Sequence, residues 1–234
     1  VLTEGPINRY DLPVEAPKPA AARPAPMVEA AAPGSADPVE IARHLAEGAL
    51  TLDDLRVAIA GFELCELKRG ARNTVFADGN PAARVLILGE APGAEEDREG
   101  RPFVGRAGQL LDRMFAAIGL SRTSPAAETA LYITNVLPWR PPGNRDPEPA
   151  EIAMMRPFVE RHIALIDPAV IVVMGNTPLE ALTGHRGILR ARGAWSQALG
   201  KPLLPMTHPA YLLRNPSAKR EAWADLLSLQ ERLH

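Results

Sequence analysis

The chain has 234 residues, 46% of them hydrophobic and 23% charged, with a net charge of −2. No apolar run reaches the roughly 18–20 residues that span a bilayer, and no charged–apolar–small leader pattern is visible, so membrane insertion and secretion are not indicated and the cytoplasm is the expected compartment. The single cysteine, Cys65, excludes an intrachain disulfide and any all-cysteine metal site, and the near-neutral balance argues against a non-specific nucleic-acid coat.

Leu12–Asp37 is dominated by Pro and Ala without a hydrophobic period, so residues 1–37 are expected to form a disordered or semi-extended arm. Residues 38–234 are expected to form one domain. Asp37-Pro38 reads as a helix start, with Ile41, Leu45 and Ala49 on one face. Thr51-Leu-Asp-Asp54 starts a second helix carrying Leu52, Leu55 and Ile59. Then strands and helices alternate. Arg84–Leu88 is a strand, Gly108–Leu120 an amphipathic helix, Ala130–Val136 a strand and Glu148–Leu165 a helix. Ala169–Met174 is a strand between Pro168 and Gly175, Pro178–Leu182 opens another helix, Pro202–Met206 is a short strand and Ser217–Arg232 closes the chain. Strands that are apolar throughout belong to a parallel sheet covered on both faces. The expected architecture is a three-layer α/β/α sandwich around a mostly parallel, four-stranded sheet.

In such sheets ligands bind beyond the carboxyl ends of the strands. The first strand is followed by Gly89-Glu90-Ala91-Pro92-Gly93, the second by Asn135 and the run Trp139–Asp146, the third by Gly175-Asn176-Thr177, the last by His208–Arg214. One acid, one amide and one imidazole thus converge on one rim, with several arginines. From Ala181 to Arg220 there are seven Lys and Arg and no acid, a local basic face suited to a partner carrying phosphates. His44, His162, His185 and His234 lack such a context and read as surface or structural residues.

Three motifs, GEAPGAEEDREGRPFVGRAG, YITNV with RPPGNRDP, and HPAYLLRNPSAKREAW, occur in order after these strands. On them the chain resembles the uracil-DNA glycosylase superfamily, and within it the family 4 type of bacteria and archaea, over roughly Phe62 to Leu229. The resemblance implies a DNA-repair hydrolase that flips uracil out of DNA and cleaves its glycosidic bond. Its partner would be uracil-containing DNA, its product free uracil beside an abasic site, and its working form a monomer.

The resemblance also assigns roles. Glu90 would orient a water and stabilise the sugar cation, and His208 would donate to uracil O2. Asn135 would read the N3 and O4 edge, and Phe103 would stack on the flipped ring. Gly89, Ala91, Pro92 and Gly93 would let the backbone approach the base. Tyr211, Leu212 and Arg214 lie on the loop that superfamily members press into the duplex, with Ser217, Lys219 and Arg220 as phosphate contacts at a helix start. Glu95, Glu96 and Asp97 read as structural, Glu96 being a secondary candidate for water activation. Arg101, Arg106, Arg140 and Arg145 are either DNA contacts or ion pairs.

Two departures stand out. Family 4 members hold a four-iron four-sulfur cluster on four cysteines, and the matching positions here are Phe62, Cys65, Trp139 and Met155. One thiolate cannot hold such a cluster, so no metal or cofactor is expected and a hydrophobic plug would fill its volume. A covalent uracil-binding branch carries an inserted basic loop with a histidine after the first motif. The run REGRPFVGRAG has no such insertion, so turnover is expected rather than capture. The alternatives are a non-catalytic or covalent uracil-binding protein and a hydrolase of free nucleotides or nucleosides.

Overall fold

The computed structural model of the protein describes residues 37–233, so all but the last residue of the Pro/Ala-rich arm lies outside the described residues. Two helices come first, α1 (Pro38–Gly48) and α2 (Leu52–Gly61). Asp37 caps the first by accepting from the Val39 amide at 3.0 Å, and Thr51 and Asp54 form a reciprocal capping box on the second. The buried face of α1 is Ala42 and Ala46, while Leu45 is 37% exposed, which corrects the expected stripe. Small side chains face inward because α1 packs closely on a later helix, α6 (Pro149–Ile166).

A short helix, α3 (Leu67–Gly70), leads into strands β1 (Ala77–Gly79) and β2 (Val85–Gly89). Two helices, α4 (Ala94–Glu99) and α5 (Arg106–Ala116), precede β3 (Leu131–Asn135). After α6 come β4 (Val170–Met174), α7 (Asn176–Thr183), α8 (Ile188–Ala191), β5 (Ser196–Ala198) and β6 (Lys201–Met206). The chain closes with α9 (Pro209–Arg214) and α10 (Lys219–Leu233). Helix α4 was not foreseen in the glycine-rich stretch. It forms because the Glu96 carboxylate accepts the Gly93 amide at its start and Gly100, at φ +72°, ends it.

The sheet order is β1-β3-β2-β4-β6-β5. The four inner strands are parallel, as expected, with Gly89 opposite Asn135 and Met174 opposite Met206. Antiparallel edges β1 and β5 bring the sheet to six strands rather than four. These edges are three residues each, too short to show a hydrophobic pattern.

Both faces of the sheet are covered. Leu86, Leu88, Ile171 and Val173 pack with α1, α2 and α6 on one side. Val85, Ile87, Val170 and Val172 pack with α5 and α10 on the other. The chain passes from β2 to β3 on one flank and then to β4 on the opposite flank. The crevice at this switch point lies between the ends of β2 and β4.

Candidate active site

A cavity of about 660 Å³ opens at that crevice, walled by Glu90, Phe103, Asn135 and His208 among others. Gly89 does not itself line it but sets how closely two of its walls approach. A Cβ there would lie 2.3 Å from Asn135 Oδ1 and 2.5 Å from a Phe103 ring carbon, so only glycine lets both side chains close over the strand end. Ala91, Pro92 and Gly93 continue the same wall.

Glu90 is the first residue beyond β2. Its carbonyl accepts the Leu137 amide at 3.0 Å, and its Oε2 accepts from the Thr177 hydroxyl at 2.6 Å. Burial pushes the carboxyl above its usual range; the Thr177 hydrogen bond opposes this, Asp146 adds to it and Arg186 opposes it.

His208 caps α9, and its Nδ1 accepts the Ala210 amide at 3.1 Å. A nitrogen that accepts carries no proton, so the neutral ring bears its hydrogen on Nε2. Burial pushes its pKa down to about 4, Arg214 adding to the effect and Glu96 opposing it. Asn135, at the end of β3, is 7% exposed and lines the cavity. No hydrogen bond to its side-chain amide forms among the described residues, and its Oδ1 lies close beside the Gly89 backbone.

Phe103 stacks on the His208 ring with centroids 5.4 Å apart and planes 28° from parallel. Its backbone is left-handed at φ +53°, a strained conformation for an aromatic residue. Arg122 holds it, donating from Nη2 to the Phe103 carbonyl at 2.9 Å and from Nη1 to the Pro102 carbonyl at 2.8 Å. Gly108 allows α5 to start against the same carbonyl, which a Cβ would meet at 1.8 Å.

Glu96 lines the cavity but is fully engaged. Oε1 accepts the Val104 and Gly105 amides, each at 3.0 Å, and Oε2 accepts the Gly93 amide at 3.1 Å. It is a loop clamp, which removes it as a candidate for water activation. Asp97, 8% exposed, likewise accepts the Arg72 and Asn73 amides.

Residues 76–227 match the uracil DNA glycosylase superfamily. The chain belongs to that superfamily. It is 42% identical over 156 residues to the type-4 uracil-DNA glycosylase of Thermotoga maritima, covering 65% of this chain and 78% of that protein. It is 35% identical over 191 residues to the type-4 uracil-DNA glycosylase of Sulfurisphaera tokodaii, covering 77% and 84%. It is also 34% identical over 134 residues to the type-5 uracil-DNA glycosylase of Thermus thermophilus, covering 53% and 61%.

In this superfamily member the expected DNA-contacting residues separate into groups. Tyr211 and Arg214 line the mouth of the cavity. Leu212 does not: it is fully buried against Leu110 and Ala222, and its assignment to the DNA face is corrected. On α9 it anchors the helix on α5 and α10, and Tyr211 and Leu213 pack against the edge of the same cluster. Ser217, Lys219 and Arg220 are exposed but do not line the cavity, and Ser217 lies in a 3₁₀ turn (Pro216–Ala218) before α10 rather than in that helix. Arg145 forms a two-pronged ion pair with Glu151, at 2.6 and 3.0 Å, and Arg101 pairs with Glu99 and Asp78.

The positions expected to match cluster cysteines lie in one apolar core cluster: Phe62, Cys65, Trp139 and Met155 are each 1% exposed or less. Phe62 meets Phe158 edge-on with centroids 5.4 Å apart, and Trp139 Nε1 donates to Thr74 Oγ1 at 3.0 Å. Burial pushes the Cys65 thiol up, away from thiolate character. A phenyl, an indole and a buried neutral thiol do not fit a cluster that needs four thiolates. Nor do the described residues contain any group of three or more His, Cys, Asp or Glu that could hold a metal ion.

Sequence reasoning named the loop Gly175-Asn176-Thr177 but gave Thr177 no role; its position after β4 was the available signal. Arg122 was missed altogether, because it sits outside every strand-end loop. His162 is buried and shares a 2.8 Å hydrogen bond with the Tyr132 hydroxyl, while His44 and His185 are exposed. No helix among the described residues is long and apolar enough to cross a membrane.

Proposed function

We propose that the protein excises uracil from DNA in base excision repair, by hydrolysis of the N-glycosidic bond. One observation carries the reading: Glu90, His208, Asn135 and Phe103 come from four separate strand ends or loops and line one cavity. The type-4 uracil-DNA glycosylases related to it supply the substrate class.

In this reading the flipped uracil enters between Phe103 and Asn135. The Asn135 amide pairs with the N3–H and O4 edge, which cytosine presents with reversed polarity. As the C1′–N1 bond breaks, its electron pair goes to the uracil ring, and charge gathers on O2. The Nε2–H of the neutral His208 donates to that oxygen without itself giving up the proton. The Glu90 carboxylate stabilises the cationic sugar and orients water, which adds hydroxide to C1′ while its proton passes to solvent or the departing base. Tyr211 and Arg214 at the cavity mouth, with Lys219 and Arg220 nearby in sequence, hold the DNA backbone. No metal or cofactor enters these steps, and Phe62, Trp139 and Met155 act as an apolar plug where family 4 relatives carry cluster ligands.

The test is excision from a labelled uracil-containing oligonucleotide, read as alkali-sensitive cleavage under single-turnover conditions. Glu90→Gln and His208→Gln should each slow the reaction on the order of 10²–10³-fold. Tight uracil-dependent binding with no abasic product would instead make this a binding protein. Excision from free nucleosides but not DNA would make it a nucleoside hydrolase.

A further inference from the structure

The ends of β2 and β4 are neighbours, with Leu88 opposite Val173, so the first turn of α7 starts beside Glu90. Gly175, at φ +104°, makes the turn that aims this helix start at the cavity. Asn176 fixes the far side of the segment by accepting the Gly187 and Ile188 amides at 3.1 and 2.9 Å. Thr177 is 1% exposed, and its hydroxyl has one partner among the described residues, the Glu90 carboxylate at 2.6 Å. A hydroxyl in the first turn of a helix usually faces water or caps the backbone; this one does neither.

We propose that Thr177 is a positioning residue for Glu90, holding Oε2 so that the other carboxylate oxygen is presented to the cavity. The inference deepens the reading above and rests on it. A buried carboxyl tends to take up a proton, and a protonated Glu90 could neither stabilise a sugar cation nor orient water as an acceptor. A donor on Oε2 favours the anion and fixes its rotamer at once. The charged groups around Glu90 do not substitute for it. Asp146 beyond β3 favours protonation and Arg186 beyond α7 opposes it, the latter already paired with Glu180 at 3.1 Å. Glu96, Arg145, His208 and Arg214 share the cavity, with Glu96 and Arg145 committed to other partners.

The experiment is the pH dependence of single-turnover uracil excision in Thr177→Val, Thr177→Ser and Glu90→Gln. Val removes the donor at nearly constant shape, so the acidic limb of the profile should move up by about one pH unit. Near the alkaline plateau the rate should recover most of its loss. Ser keeps the donor and should return the limb towards the parent position, which a purely packing role for Thr177 would not require. If Val does not fold, Thr177→Ala is read in the same way. A limb that stays in place in the Val or Ala variant, while Glu90→Gln remains impaired, overturns the inference and leaves the role of Glu90 standing. Full activity in Glu90→Gln overturns both.

Discussion

The Phe103 ring lies over the His208 imidazole at 5.4 Å, so the residue expected to stack on the base also covers the residue expected to polarise it. This contact keeps His208 away from bulk water on one face. Together with the Ala210 amide on Nδ1 it fixes the ring in one tautomer and one orientation. The stack in turn exists because Gly89 leaves room for it.

Gly89→Ala should therefore act on chemistry without touching any reacting group. The new methyl collides with Asn135 Oδ1 and the Phe103 ring, shifting both by a sizeable fraction of an ångström or more. A displacement of that order in a preorganised site costs on the order of 10²-fold in excision rate. Single-turnover kinetics beside a circular dichroism spectrum of the folded variant checks it.

Glu90→Gln and Glu96→Gln should separate in kind. Glu96 satisfies three backbone amides of the Gly93–Gly105 loop, and an amide side chain turns one acceptor into a donor that faces N–H groups. Its loss should lower stability by about 1–3 kcal/mol and loosen substrate binding. Glu90→Gln should lower the excision rate with little change in stability. Urea unfolding of the two variants, paired with their kinetics, measures the contrast.

The apolar plug predicts indifference to iron. Purified protein should carry no iron or acid-labile sulfide, and chelator treatment should leave its melting temperature unchanged. Trp139→Ala should cost about 3–5 kcal/mol, because it opens a cavity in the core cluster shared with Phe62 and Met155. Iron and sulfide at cluster stoichiometry would refute the plug.

One buried histidine, His162, and one partly buried one, His208, predict acid sensitivity. Burial holds His162 at about 3 and His208 at about 4, against an ordinary value of 6.5. Between the folded and unfolded values the unfolded chain binds more protons, so stability rises with pH across this window and is fully present above about 6.5. Each histidine contributes a slope of about 1.4 kcal/mol per pH unit there. Denaturant midpoints from acid to neutral pH should show the rise, and His162→Gln should flatten it.

The layered α/β/α fold was legible because its signals are local. The run Ala169–Met174 is apolar at every position, and Ala130–Val136 is so but for Thr134 and Asn135, a pattern that suits a strand covered on both faces. The candidate acid, amide and imidazole were legible too, because a parallel sheet brings the residues after its strands to one rim. Edge strands β1 and β5 were not, being three residues long and without a hydrophobic alternation. Nor was the burial of Leu212, since the motif shows that α9 exists but not which way it is rotated against α5 and α10.

What the amino-acid sequence determined by itself was the order of strands and helices, the motifs at the strand ends, and the presence of a single cysteine, because these depend on residue type and spacing. The tertiary structure alone decided that Thr177 reaches Glu90, that Arg122 holds Phe103 in a left-handed backbone, and that Glu96 is consumed by amides. Those contacts join residues 87, 19 and 8 positions apart in the chain. They arise from strand order and packing, which place distant side chains within hydrogen-bond reach and leave no periodic trace in the sequence.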